Sequence, residues 1–227
     1  MSKKNDVARS VFARGPVLPD RTHQRRGMSQ MTPFVKVLFA LTALTAIPST
    51  IALSQSAEPK IMVLAAPEDP TKDAVLIGRI NSDGLAMQLE IDGAEAMWMA
   101  MGTPAEWGEH APEKDVRYHV EFKVTDLATK TRLPYALVTF TAKNTDTGKD
   151  LKLELLPMWG SSGLHYSENS ALVGDGTYSA TVTVGVPTFA REIKDKELWS
   201  KPVASKFHFK LKDGNLIEVS EPMAPSN

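Results

Sequence analysis

Val116-Arg117-Tyr118-His119-Val120-Glu121-Phe122-Lys123-Val124 places an apolar residue at every second position, and the fold reading follows from it. A period of two belongs to a strand with one face in a core and the other outside. Tyr118, Val120, Phe122 and Val124 share the apolar face, while His119 and Glu121 project together from the opposite one. The same alternation runs upstream through Val75-Ile77-Arg79 and Leu85-Met87-Leu89-Ile91. Downstream it runs through Leu137-Thr139-Thr141, Leu151-Leu153-Leu155 and Tyr178-Ala180-Val182-Val184. Asn144–Gly148 and Asp175-Gly176 read as turns, and a last pair, Ala204–Leu211 and Leu216–Val219, flanks Asp213-Gly214. Seven to nine short strands with no long helical pattern predict an all-β fold over residues 73–220, an immunoglobulin-like antiparallel β-sandwich.

The alternation fails in two places. Ala94–Lys114 is rich in Met, Trp, Gly, Pro and acids, and Pro157–Asn169 holds Met158, Trp159, His165 and several glycines. Both read as long irregular loops, the kind that carry function.

Residues 1–57 are of another character. Val37–Leu53 is seventeen residues without a charge, preceded by Lys36, broken by Pro48 and followed by Ser54-Gln55-Ser56-Ala57. A basic region, an apolar stretch and small residues form an export signal, with processing expected at Ala52-Leu53-Ser54 or Ser54-Gln55-Ser56. Met28 and Met31 are alternative starts, and Arg25-Arg26 gives a faint twin-arginine character. The bulk of the chain is expected outside the cytoplasm, released if the segment is cleaved and membrane-anchored if it is not. Residues 58–72 read as a linker and 221–227 as a flexible tail.

Charge and composition narrow the chemistry. Residues 1–57 hold eight of the 26 Lys/Arg and two of the 27 Asp/Glu, so the remaining 170 residues carry a formal −7. Such an acidic domain is a poor partner for nucleic acid. With no cysteine in the chain, disulfides, thiolate zinc sites, iron–sulfur clusters and cysteine nucleophiles are excluded, leaving His, Met, Asp and Glu as metal donors. There is no phosphate-binding glycine loop after a strand, no G-x-S-x-G and no H-E-x-x-H, so nothing points to an enzyme.

Donors do occur at suggestive spacings. His119 and Glu121 sit two apart on one strand face, a pattern that a solvated face also produces. Met158 and His165 lie seven apart, joined by small residues that let the chain fold back and bring thioether and imidazole to one point. Met97, Met99 and Met101 alternate beside Trp107 and His110; such thioethers suit copper(I), although Met equally fills gaps beneath a loop. His208, between Phe207 and Phe209, reads as a solvated strand position, and His23 precedes the export segment.

Leu133-Pro134-Tyr135, Asn144–Lys149, Leu156-Pro157-Met158, Gly163–Tyr166 and Gly174–Tyr178 together resemble the bacterial periplasmic iron-transport family, over roughly residues 73–212. The resemblance implies an exported, metal-binding sandwich, often a homodimer, working beside an inner-membrane iron permease in ferrous-iron uptake. It implies a copper or iron site from a His-x-Glu pair and a Met with a His seven residues later, here His119, Glu121, Met158 and His165. Met97, Met99, Met101 and His110 are accessory candidates. A two-position shift would put Arg117 and His119 in the first two slots, but Arg cannot coordinate. The family often adds a histidine across the dimer from a late loop, and here that loop, Phe189–Glu197, has none. Two other readings accompany this one: a periplasmic copper chaperone or buffer using the three methionines, and a metal-free protein-binding sandwich.

Overall fold

The computed structural model describes residues 54–223. The expected export segment, its alternative starts and His23 lie outside those residues, as does the end of the tail. Thirteen strands run in chain order: β1 Ser54–Gln55, β2 Ile61–Glu68, β3 Val75–Ser82, β4 Leu85–Gly93, β5 Met97–Met101, β6 Glu106–His110, β7 Tyr118–Asp126, β8 Val138–Asn144, β9 Asp150–Gly160, β10 Gly163–Ser170, β11 Gly176–Val184, β12 Val203–Lys212 and β13 Asn215–Ser220. A 3-10 turn at Ile193–Asp195 is the only helical element among the described residues. None of it is long or apolar enough to cross a membrane as a helix.

Ten strands form the path β2-β13-β12-β11-β8-β9-β10-β7-β4-β3, with β1 added in parallel to β12 and all other pairs antiparallel. The long β9 divides the path into two layers. Its first half, Asp150–Leu155, pairs with β8, and its second half, Leu156–Gly160, pairs with β10. One layer is therefore β2-β13-β12-β11-β8-β9 and the other β9-β10-β7-β4-β3, and β3 closes the stack against β12 and β13. That closure needs a residue without a side chain: a Cβ on Gly78 would lie 2.8 Å from Ser220 Cβ and 3.1 Å from Phe207 Cδ1.

The core lies between the layers. Ile77, Met87, Leu89, Ile91, Val120, Phe122 and Val124 enter it from one sheet, and Val138, Phe140, Val182, Phe207, Phe209 and Val219 from the other. Phe122 meets Phe207 edge-on across the layers, with ring centroids 6.3 Å apart. The all-β antiparallel sandwich is thus as the alternation predicts, with more strands than seven to nine.

Several details differ from the sequence reading. Residues 58–72 are not a simple linker, because β2 pairs with β13. This edge strand leaves Ile61 and Val63 more than half exposed, so it carries no alternation for a pattern search to find. In β8 the inward residues are Val138, Phe140 and Ala142, the opposite parity from Leu137-Thr139-Thr141, and Leu137 is 58% exposed just ahead of the strand. Ala94–Lys114 contains the separate β5–β6 ribbon. Pro157–Asn169 is the hairpin of β9 and β10 around Ser161-Ser162.

Candidate metal centre

Strand register gathers the donors on the outer face of the second layer. His119 stands opposite Asn169 and Glu121 opposite Ser167 between β7 and β10, and His165 stands opposite Met158 between β10 and β9. Period-two alternation puts all six side chains on one face of three adjacent strands, which lie about 4.8 Å apart. Met158 and His165 meet through hairpin pairing of regular strands, not through an irregular loop folding back.

The polar face is not solvated at this point. His119 is 1% exposed and His165 3% exposed; the chain after β4 returns beside His119 through Glu95, and Gly160 of β9 lies against the His165 ring. Glu95 donates its backbone N–H to Asn169 Oδ1 (3.3 Å) and accepts from Asn169 Nδ2 at its carbonyl (2.8 Å). That exchange orients the amide, so Asn169 Oδ1 is the acceptor and His119 Nδ1, 2.9 Å away, carries the proton. His165 Nδ1 likewise donates to the carbonyl of Gly163 at 2.9 Å. Both imidazoles therefore present the lone pair of Nε2 to the same pocket.

Neither Nε2 has a hydrogen-bond partner among the described residues, although both atoms are buried. The nearest carboxylates, Glu95 Oε1 to His119 (3.7 Å) and Glu121 Oε2 to His165 (3.9 Å), stand beyond hydrogen-bond reach. A buried acceptor left unmet costs about 1–3 kcal/mol. One donor atom from each of His119, Glu121 and His165 lies within 4.8 Å of the others. Such separations suit bonds of about 2.0–2.3 Å to a single ion. The carboxylate and two basic nitrogens around this pocket form a fit for a cation.

Glu121 is held for that task by its other oxygen. Oε1 accepts from Ser162 Oγ (3.2 Å) and pairs with Lys123 Nζ (2.8 Å), leaving Oε2 turned toward His165. Burial would raise the Glu121 carboxyl, but Lys123 and Ser162, with His165 when its ring is charged, outweigh it and hold the group below its ordinary value. Burial would lower the Lys123 ammonium, yet Glu121 and Glu90 keep it above the usual lysine value and therefore charged. Met158 is half-buried beside His165, its sulfur accepting from Ser167 Oγ at 3.2 Å. Gly160 leaves room for the ring, since a Cβ there would lie 3.0 Å from His165 Cε1.

The structure thus brings His119, Glu121 and His165 together with Met158 alongside. Met97, Met99, Met101 and His110 belong to the β5–β6 ribbon, a separate two-stranded sheet. His208 pairs with Glu218 (3.3 Å) on the other layer and takes no part. Glu95, Asn169, Ser162, Lys123 and Gly160 were not identified from sequence. Asn169 was within reach, because 165, 167 and 169 share a face once β10 is recognised as a strand; Glu95 gives no periodic signal at all.

Comparison with known proteins places these features in context. A family model described as Fe2+ transport protein matches residues 80–212, which include all four predicted donors and the ribbon. A UPF0423 protein of Brucella abortus (strain 2308) is 26% identical over 193 residues, covering 77% of this chain and 94% of the relative. Among solved structures, a copper-bound variant of Campylobacter jejuni P19 shares the fold at a TM-score of 0.50 and 22% identity, covering 61% of this chain and 98% of that one. FetP of uropathogenic E. coli strain F11 aligns at a TM-score of 0.49 and 21% identity over 61% of this chain and 96% of that chain.

Proposed function

The chain belongs to the Fe2+ transport protein family, and on that premise we propose that it is a periplasmic metal-binding protein serving ferrous-iron uptake. In this reading His119, Glu121 and His165 hold the ion with Met158 as a fourth donor, and an inner-membrane iron permease receives it. A homodimer is part of the same proposal. The observation that carries it is the pair of buried imidazoles whose Nδ1 protons are committed and whose Nε2 atoms face a carboxylate with no other partner. Imidazole with carboxylate suits Fe2+, and imidazole with thioether suits copper.

The chain's own residues do the positioning. Asn169 and the Gly163 carbonyl aim the two rings, Ser162 and Lys123 hold Glu121, and the Glu95 backbone holds the Asn169 amide. The test is titration of the full chain with Fe2+ under anaerobic conditions, beside a variant carrying His119→Ala and His165→Ala. One ion per chain is expected, with affinity lowered at least about 100-fold in the variant. Equal binding by both proteins would overturn the reading.

Copper as a second ion is favoured by the Met158 thioether beside His165, and P19 of like fold is described as copper-bound. Met158→Leu preserves volume and should leave the fold intact while lowering copper(I) affinity more than Fe2+ affinity. An unchanged preference would remove Met158 from the ligand set.

A further inference from the structure

The β5–β6 ribbon carries donors that the centre does not use. Its register sets Met97 opposite His110, Met99 opposite Gly108 and Met101 opposite Glu106. Alternation therefore places three thioethers, one imidazole and the Glu106 carboxylate on a single face, while Trp98 and Trp107, each 68% exposed, occupy the other. Directly opposed residues have Cβ atoms about 4.5–5.5 Å apart, within the span of flexible methionine side chains. Gly108 contributes no side chain, and a Cβ built there meets nothing within 4 Å, so the middle of this face is open.

These donors are also uncommitted. The sulfurs of Met87, Met158 and Met223 accept hydrogen bonds, from Ser205, Ser167 and Asn81. Met97, Met99 and Met101 accept none among the described residues, and His110 has neither hydrogen bond nor ion pair there. Nor are the methionines core filling: Met97 and Met99 are half-buried and Met101 is 49% exposed. Met97 lies two residues beyond Glu95, which faces His119, so the ribbon leaves the sandwich at the edge of the centre.

We propose that this face is a second metal site, a thioether site for monovalent copper built from Met97, Met99, Met101 and His110 and separate from the His119–Glu121–His165 centre. Its donors are neutral and mostly soft, which favours copper(I) and disfavours Fe2+. The site does not depend on the iron reading of the centre.

The test is anaerobic copper(I) titration of the full chain against a chromophoric copper(I) chelator. It is run on wild type, a Met97→Leu/Met99→Leu/Met101→Leu variant, the His119→Ala/His165→Ala variant and their combination. Wild type should take two equivalents; the methionine variant should lose one and keep its Fe2+ affinity. The histidine variant should retain one copper(I), which vanishes in the combination. Wild-type copper(I) binding by the methionine variant overturns the site, as does loss of both equivalents there, which would make the ribbon part of the centre. Should the histidine variant fail to fold, the methionine variant and His110→Ala, both on the exposed ribbon, decide alone: each must weaken one copper(I) equivalent at least tenfold and leave Fe2+ binding unchanged.

Discussion

At the centre both imidazoles are at most 3% exposed and fixed through Nδ1, whereas on the ribbon His110 makes no hydrogen bond or ion pair among the described residues and Met101 is half exposed. The two regions draw on overlapping donor types, and they differ in how much of the geometry exists before an ion arrives. Prepared donors that are already buried and oriented lose little freedom on binding, which favours affinity. Unprepared thioethers on a two-stranded ribbon must be ordered by the ion itself, which favours exchange. The difference is made by supporting residues, since the centre has Asn169, Gly163, Ser162 and Lys123 behind its donors and the ribbon has no counterpart among the described residues.

The sharpest way to break this contrast is to remove support without touching a donor. Asn169→Ala frees the His119 ring and its tautomer, and Fe2+ affinity should drop about 10–100-fold with copper(I) on the ribbon unaffected. Calorimetry on both ions checks this, and an unchanged Fe2+ affinity would mean that the pocket walls alone hold the ring.

Acid separates the regions next. Ligation at the centre occupies the Nε2 lone pair of both imidazoles, so protons compete with the ion there and Fe2+ affinity should fall as the solution is acidified. Thioethers do not titrate, and the ribbon should lose only what His110 supplies. Glu121 does not add to this loss near neutrality. Its folded value lies below the unfolded one, so the stability it contributes is present above the ordinary carboxylate range and disappears as pH falls through the lowered value. Fe2+ binding that is flat between pH 7 and 5 would count against both histidines.

The smallest effect comes from crowding the ring. Gly160→Ala sets a methyl 3.0 Å from His165 Cε1, and the imidazole must shift by a few tenths of an ångström. Fe2+ affinity should weaken several-fold, with about 1 kcal/mol or less lost from stability, read by chemical denaturation. Wild-type affinity would show that the ring has slack.

Much of this was legible beforehand, and particular residues show why. His119 and Glu121 were assigned to one face because alternation in β7 is a local property of the chain, visible wherever one side meets a core. Met158 and His165 do stand opposite each other, but not by the route the sequence suggests. The glycines around them read as a loop, yet Ser161-Ser162 is a tight turn between two strands, and pairing across β9 and β10 does the work. The strand β2 escaped notice because an edge strand exposed on both faces has no period to detect. His119 and Glu121 looked like a solvated face since nothing in their own segment announces Glu95 beside His119 or Ser162 beside Glu121.

Alternation, the missing cysteines and the acidic balance of residues 58–227 determined, from sequence alone, an all-β domain whose metal donors are His, Met, Asp and Glu. Which of those donors face one another, and in what protonation state, was decided by the tertiary structure. The reason is physical: a strand's period is written in neighbouring residues, whereas register, burial and the partner of each Nδ1 arise from contacts between segments tens of residues apart, such as Glu95 with Asn169 and Glu121 with Ser162.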